Sequence, residues 1–510
     1  MARPPRVLFA TSNGTGLGHL NRAMAIARRL PPGSEVSMFT LSQAAPLVAR
    51  SGYPVDYLAS YRRPGSGTDR AWNLRLRATL KLTLERRRPD VVVFDGVHPY
   101  RALTHVLSRP GAPASLWCRR PLWRQGSATA PLRRAGAFDA VLEPGELAAA
   151  EDRGPTVALR SSAVKVDPIV LLDRAELLDR DAAAAELGLD PALRTALVTL
   201  GQGGEVDRTV ARSLAALASR PDLQIAVLQS SIAAGAGVPA GVVRLRATFP
   251  MSRYFAAFDL AVSAAGYNAF HELIAFGVPT LFVPMARNTD DQFARARWAV
   301  AASAGLAVEG AADAALERRI EELCDPERAA EIKAGCGRVP PGNGAAAGAE
   351  LVTAMAAGSD RAPAVRERGR FNRWLRFSSH PVGPTLPLVL ALGARDLLRH
   401  PERRAPRLVV LALGVADAEL PARVASAIGD EAPERVLVLT DSLAFAGLRR
   451  LGVGFEHLPA PSQARRAVEI RGLRERASAL LRGRRPLRAI SIGWGGEAVL
   501  GLAPATQERG

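Results

Sequence analysis

SAAGYNAFHELIAFGVPTLFVPMARNTDDQ, running from Ser263 to Gln292, decides how the rest of the chain is read. It divides into a strand end, a glycine turn, a helix, a Gly277-Val278-Pro279 turn, a buried strand and a polar loop closing on Asp291-Gln292. A strand–loop–helix unit aims backbone N–H groups and the positive helix end at an anion. Two polar positions follow at set distances, Glu272 within the helix and Asp291-Gln292 beyond the next strand. That layout suits a nucleotide-sugar. The diphosphate would sit at the helix start, the ribose at Glu272, and the sugar hydroxyls at Asp291 and Gln292.

The same residues resemble the donor-binding signature of GT-B glycosyltransferases, most nearly glycosyltransferase family 28 and the related UDP-glycosyltransferases. Gly266, Asn268, Glu272, Gly277, Pro279, Pro284, Asp291 and Gln292 stand at the matching places. Two places depart: Ala264 stands where many relatives set a histidine on the diphosphate, and Ala269 where they set a small hydroxyl residue. Phosphate contacts here therefore lean on backbone N–H groups. The resemblance runs through residues 5–355 and implies two Rossmann-like domains facing a cleft.

Composition is compatible with that fold. The chain has 510 residues, enough for two to four domains, with 48% hydrophobic and only 5% aromatic residues, so the core is built of Ala, Val and Leu. The net charge is +18, and from Arg361 onward 25 Arg stand against 14 Asp and Glu, an excess of +11. A basic balance points to an anionic partner such as a membrane surface or a glycan. Nucleic acid fits least, because zinc-finger spacing, RNP aromatics and a basic zipper are all missing from the sequence. Cys118, Cys324 and Cys336 have no CxxC spacing, which fits a reducing, cytoplasmic compartment. The apolar run 384–394 falls well short of the ~20 residues that span a bilayer. The expected location is cytoplasmic or peripheral at the inner face of the membrane.

Short apolar runs at 7–11, 36–40, 55–58, 91–95, 114–118 and 140–142 alternate with helical or loop segments, the signature of a parallel sheet covered on both faces. Residues 72–85 are apolar at every even position, as in a strand. Their length, and their place before Arg88-Pro89-Asp90 and a buried strand, favour a crossover helix. A second series follows a hinge at 161–168, with strands at 196–200, 225–229, 242–245, 260–263 and 280–284. A third α/β unit, of no recognised family and without a glycine-rich phosphate loop, has strands at 408–413, 436–440, 454–458 and 489–492. The expected division is an acceptor domain over 1–165, a donor domain over 166–357, a basic linker over 358–387 and an appended α/β domain over 388–510.

The loop from Asn13 to Ala23, NGTGLGHLNRA, lets the backbone turn tightly and puts His19 where the next helix begins. It resembles the G-T-G-G-H loop of family 28 and the G-H-x-x-P start of the UDP-glycosyltransferases. An inverting transfer needs a base at the acceptor hydroxyl. Histidine titrates near neutrality, and a carboxylate on its second nitrogen would fix the tautomer. Asp95 ends the run VVVFD at the carboxyl edge of the sheet, where open α/β proteins bind ligands, and the resemblance implies such a His–Asp dyad. A strand-end cap is the alternative role for Asp95, and a helix cap for His19. Gly16, Gly18 and His98 are the acceptor-side candidates. On the donor side, Gly201, Gln202, Gly203 and Gly204 form a loop that faces the diphosphate in this superfamily, and Phe249 stands where relatives pack the uracil. Arg287, Asn288 and Asp290 face either sugar or solvent. His271 packs. No D-x-D follows a strand and no His/Cys cluster is present, so neither a metal nor any other cofactor is expected beyond the nucleotide-sugar substrate. The basic stretches 86–88, 119–124 and 366–376 mix arginine with Trp, Phe or Leu, which suits an anionic membrane or a solvated face equally.

These observations point to an inverting glycosyltransferase that moves a sugar from a nucleoside diphosphate, UDP first, to a hydroxyl of a lipid-linked or cell-envelope glycan. Two alternatives share the fold: a non-hydrolysing UDP-sugar 2-epimerase, whose R-x-x-T-E-R-P-E motif is missing here, and a non-catalytic nucleotide-sugar-binding regulator.

Overall fold

A computed structural model describes residues 3–12, 17–61, 63–201, 204–228, 239–245, 249–308, 313–358, 397, 399–459, 467–484 and 486–500. Three all-parallel sheets are present. The first comprises β1 (Arg6–Thr11), β2 (Glu35–Thr40), β3 (Val55–Tyr57), β4 (Val91–Asp95), β5 (Ala114–Cys118), β6 (Ala140–Glu143) and β7 (Val164–Lys165), in the order β3-β2-β1-β4-β5-β6-β7. The second comprises β8 (Arg194–Thr199), β9 (Leu223–Leu228), β10 (Val243–Leu245), β11 (Leu260–Ser263), β12 (Thr280–Phe282) and β13 (Leu306–Ala307), in the order β10-β9-β8-β11-β12-β13. The third comprises β14 (Leu408–Ala412), β15 (Val436–Thr440), β16 (Gly454–His457) and β17 (Arg488–Ser491), in the order β16-β15-β14-β17. Strands such as VVVFD and LVVLA are buried along their whole length, because helices cover both faces. The architecture is α/β, with the two Rossmann-like sheets expected and a third, smaller one.

Each sheet reverses its direction of growth beside its first strand, at β1/β4, β8/β11 and β14/β17. Loops leaving the carboxyl ends of such neighbours diverge and open a crevice. His19 follows β1 and Asp95 ends β4; Gly201 follows β8 and Gly266 follows β11. Strand order alone therefore gathers the expected site residues.

The ambiguous stretch is helix Asp69–Arg87. Thr68 caps it by accepting the Ala71 N–H at 3.2 Å, and Arg88 ends it in the left-handed region at φ 44°. Its buried residues are Trp72, Arg75, Leu76, Leu80 and Thr83, a stripe of helical period. The even-numbered apolar pattern was therefore a by-product of a leucine-rich helix.

Helix Ala345–Ala356 returns to the first sheet. Its Ala345, Ala349, Val352 and Met355 share a core with Ile26 and Leu142. A Cβ on Gly348 would stand 3.2 Å from Ile26 Cγ1, so small residues permit the close approach. The third unit also joins the first. Its edge strand β16 lies against the edge strand β3. The Tyr57 ring is 5.0 Å from that of Phe445 and 6.0 Å from that of Phe455. Each such buried aromatic contributes roughly 1.5–3 kcal/mol. Beside them the fully buried Glu456 accepts the Ala59 N–H at 2.6 Å and pairs with Arg484 at 2.9 Å. The connector after residue 358, the basic stretch 366–376 and the apolar run 384–394 lie outside the described residues. Among the described residues no helix is long and apolar enough to cross a membrane.

Candidate active site

β1 and β4 run in register with Thr11 opposite Asp95, so the loop leading to His19 and the last residue of β4 emerge side by side. His19 lies in the first turn of helix Gly18–Ala27, and its Nδ1 is 2.6 Å from Asp95 Oδ1. The sequence-predicted dyad is thus a contact. Asp95 is buried and holds a second partner that the sequence reading passed over. Arg22, one turn beyond His19, donates Nε to Oδ2 at 2.9 Å and Nη2 to Oδ1 at 2.6 Å. Burial pushes the Asp95 carboxyl up, but Arg22 and His19 more than offset it and hold it at about 2. Burial lowers the His19 pKa, helped by Arg22 and Arg120 and opposed by Asp95. The ring is therefore neutral at pH 7, with Nδ1–H assigned to the carboxylate and Nε2 left as a proton acceptor.

Across the cleft, Gly266 opens helix Tyr267–Phe276 without a side-chain cap, so its first-turn N–H groups are available to an anion. Gly277 ends the helix in the left-handed region at φ 76°, as the G-V-P turn requires. Gly201, at the end of β8, has φ 87°, and Gly204 starts the next helix. Glu272 is only 7% exposed, and its Oε1 finds no hydrogen-bond partner among the described residues. Burial pushes its carboxyl up to about 7, against a smaller pull from the Leu171 main chain and the Ser252 hydroxyl. A buried acceptor without a donor is costly, and a ligand hydroxyl would relieve it.

Asp291 and Gln292 both carry structural duties. Asp291 caps helix Gln292–Ala301 through the Ala294 N–H at 3.1 Å. Gln292 Oε1 accepts the Met285 N–H at 2.9 Å, and its Nε2 lies 3.8 Å from where a Gly266 Cβ would be. Phe249 is half-buried and packs against the core that contains Ile169 and Leu171. His98 is exposed in the loop after Asp95, edge-on to Trp123 at 5.7 Å. The Gly18 carbonyl accepts from Asn268 Nδ2 at 3.3 Å, which joins the first turns of the two facing helices. His271 is buried, with Nδ1 2.6 Å from the Tyr267 carbonyl and Nε2 3.3 Å from Glu146 Oε1, so it does more than pack. Gly16, Gln202 and Gly203 lie outside the described residues.

Stretch 119–124 departs from its expected place on a membrane-facing or solvated surface. Arg119 is 1% exposed and pairs with Glu143 at 3.0 Å, and Leu122 and Trp123 are buried. Arg120 reaches across the cleft to Asp290 at 3.0 Å. Asp290 in turn meets Arg295 at 3.0 Å, and Arg295 Nε donates to Glu146 at 2.9 Å. Main-chain bonds run alongside, from Arg124 N–H to the Thr289 carbonyl at 2.7 Å and from Asp291 N–H to the Leu122 carbonyl at 3.1 Å. Arg22, Arg120 and Arg295 stand 5.1, 6.0 and 5.6 Å from the centre of the Tyr267 ring. Two buried guanidinium groups and the partly buried Arg120 thus gather at the start of the donor helix, where Ala264 and Ala269 leave gaps in the phosphate-binding pattern. Sequence spacing could not reveal pairs up to 250 residues apart. The one local signal was Arg22, standing where the G-H-x-x-P pattern has proline.

Comparison with known proteins finds the following similarities. Residues 243–336 match the glycosyltransferase family 28 C-terminal domain. The chain is 30% identical over 376 residues to the UDP-N-acetylglucosamine–N-acetylmuramyl-(pentapeptide) pyrophosphoryl-undecaprenol N-acetylglucosamine transferase of Clavibacter michiganensis subsp. michiganensis, covering 70% of this chain and 99% of that one. It is 31% identical over 330 residues to the protein of the same name from Nocardioides sp., covering 60% and 85%. A crystal structure of Acinetobacter baumannii MurG aligns with 68% of this chain and 99% of its own at 17% identity, with a TM-score of 0.45.

Proposed function

Since the chain belongs to glycosyltransferase family 28 and is a glycosyltransferase, we propose that it transfers a sugar with inversion from a UDP-sugar to a hydroxyl of a lipid-linked cell-envelope acceptor. The observation that carries the donor half is Glu272. Its buried, unpartnered Oε1 lies in the same helix whose uncapped start suits a diphosphate. The acceptor half is supported by the names of the relatives, which specify a pyrophosphoryl-undecaprenol acceptor.

His19 Nε2 takes the proton from the acceptor hydroxyl as its oxygen attacks the anomeric carbon. The bond from that carbon to the diphosphate oxygen breaks, and its electron pair leaves with UDP. Asp95 keeps the ring oriented and stabilises the imidazolium. The growing charge on the leaving diphosphate meets the N–H groups at Gly266, the loop from Gly201 to Gly204 and the arginines around Tyr267. In this reading helix and side-chain electrostatics do what a metal does in other transferases. Asp291 and Gln292 set the sugar-facing loop, and Phe249 borders the base. The acceptor enters past Gly18 and His98, from an anionic membrane surface.

The test is incubation of the purified protein with UDP-N-acetylglucosamine and the lipid-linked muramyl-pentapeptide acceptor, alongside other UDP-sugars and lipid-linked glycans. Release of UDP matched by glycosylated lipid supports the reading. UDP-sugar left intact with every acceptor, or epimerised at C2, refutes it.

A further inference from the structure

Arg22 occupies the place of a proline in the resembling pattern, yet it is 1% exposed and uses every guanidinium nitrogen. Nε and Nη2 grip both oxygens of Asp95, at 2.9 and 2.6 Å. Nη1 reaches Asn268 Oδ1 at 3.3 Å, in the first turn of the donor helix. Its Cζ lies 5.1 Å from the centre of the Tyr267 ring. Asp95 Oδ1 therefore serves His19 and Arg22 together. A carboxylate held by a bidentate arginine cannot swing away from the imidazole, and most of its charge is already balanced.

We propose that Arg22 is a positioning residue for both halves of the reaction: it locks Asp95, holds the His19 ring both through that carboxylate and by the direct 3.0 Å approach of Nη2 to Nδ1, and ties the dyad across the cleft to the first turn of the donor helix. This rests on the reading of His19 as the base and Gly266 as the diphosphate site. A proline at this place could do neither task, so the link is one that the resembling pattern does not provide. The link sits beside Ala264 and Ala269, where side-chain contacts to phosphate are reduced.

The groups facing His19 are Asp95 on β4, with Cys118 of β5 behind it, Arg22 on its own helix and Arg120 from the loop after β5. Tyr267 and Asn268 face Arg22 from the donor helix. Removing the Arg22 charge leaves Asp95 to act on the imidazole at full strength. The imidazolium is then favoured, and the ring titrates at higher pH.

The experiment follows the His19 Cε1–H signal through a pH titration of histidine-labelled full-length protein, assigned by its loss in His19→Asn, and measures UDP binding by calorimetry. In Arg22→Gln the His19 midpoint should rise by about one unit, the usual scale for losing a neighbouring like charge. Arg22→Lys should restore the midpoint, yet bind UDP several-fold more weakly, because one ammonium cannot span Asp95 and Asn268. Asn268→Ala should weaken UDP binding with the midpoint unmoved. An unchanged midpoint in Arg22→Gln overturns the proposal, as does wild-type UDP affinity in both Arg22→Lys and Asn268→Ala. If Arg22→Gln does not fold, the Arg22→Lys pair of readouts decides alone. If the titrations behave as stated while His19→Asn retains sugar transfer, the base reading fails and the role of Arg22 in holding Asp95 and His19 stands.

Discussion

At the carboxyl edge of β11 the chain turns through Gly266 with space beside it: an added Cβ would come no closer than 3.8 Å to Gln292 Nε2. At the equivalent edge of the third sheet, after β14 and β17, the glycines are exposed but have no room for a side chain. A Cβ on Gly414 would stand 2.7 Å from the Trp494 ring, and one on Gly493 would stand 2.1 Å from the Leu413 carbonyl. Asp441 closes the same corner by accepting the Gly414 N–H with both oxygens, at 3.0 and 3.1 Å. The two sheets share their strand order around the switch point, yet a Cβ would fit beside the turn in one and clash in the other. Strand order places the two corners alike; the volume of the neighbouring side chains sets how closely the chain packs there. Gly493 and Gly496 let the loop pass close to Leu413 and Ser491.

The buried charges differ in the same way. At the third unit, Glu456 and Arg484 satisfy one another and main-chain groups at Ala59 and Gly65, beside an aromatic cluster. At the cleft, Glu272 Oε1, Arg120 Nε and Arg295 Nη2 are buried without partners among the described residues. Unpartnered buried atoms also occur in the third unit, at His457 Nδ1 and Trp494 Nε1, so the contrast lies between the two carboxylates, Glu456 paired and Glu272 Oε1 unpaired among the described residues.

The largest expected effect breaks this contrast on the cleft side. His19→Ala should lower kcat by about 10²–10⁴, the usual contribution of a general base, with stability changed by less than ~1 kcal/mol. Wild-type turnover would reassign the base. On the other side, Glu456→Ala strands Arg484 in a buried site and should cost about 3–5 kcal/mol in urea unfolding. At temperatures where the variant remains folded, its kcat should match wild type. A collapse in kcat with the fold intact would show that the third sheet takes part in the chemistry. Gly414→Ala is a smaller probe. The left-handed backbone at φ 66° and the Trp494 contact predict a loss of roughly 1–3 kcal/mol. UDP affinity should not change, and a weakened affinity would mean that this corner communicates with the cleft.

The sheets were legible because buried parallel strands read as short apolar runs, and β4, β5, β11 and β15 match their expected bounds. The donor loop was legible because Gly266, Gly277 and Glu272 lie within one strand–helix–turn unit. What the sequence hid was long-range pairing. A partly buried Arg120 or a buried Arg295 is written with the same letter as a solvated arginine, and only its distant carboxylate tells them apart. The return of helix Ala345–Ala356 was hidden for a related reason, since its alanines and glycine are small enough to pack on either domain. Glu456 offered a visible clue, a carboxylate inside the buried strand GFEH, which must find a cation to be tolerated there.

The most direct test is at Glu272. Its carboxyl is held at about 7 in the folded protein, against 4.5 as its ordinary value. The unfolded chain therefore releases this proton first, and Glu272 lowers stability progressively from pH 4.5 to 7. Ribose hydroxyls donating to the carboxylate favour its charged form, so nucleotide binding should expel the proton. Calorimetric titration of UDP between pH 5.5 and 7.5 should show affinity rising by up to about tenfold per unit, with the rise levelling off near neutrality. Glu272→Gln should bind more weakly and lose that component of the pH dependence. Absence of binding by UDP or any other nucleoside diphosphate, or a Glu272→Gln variant that follows the wild-type curve, would contradict the donor site on which the account rests.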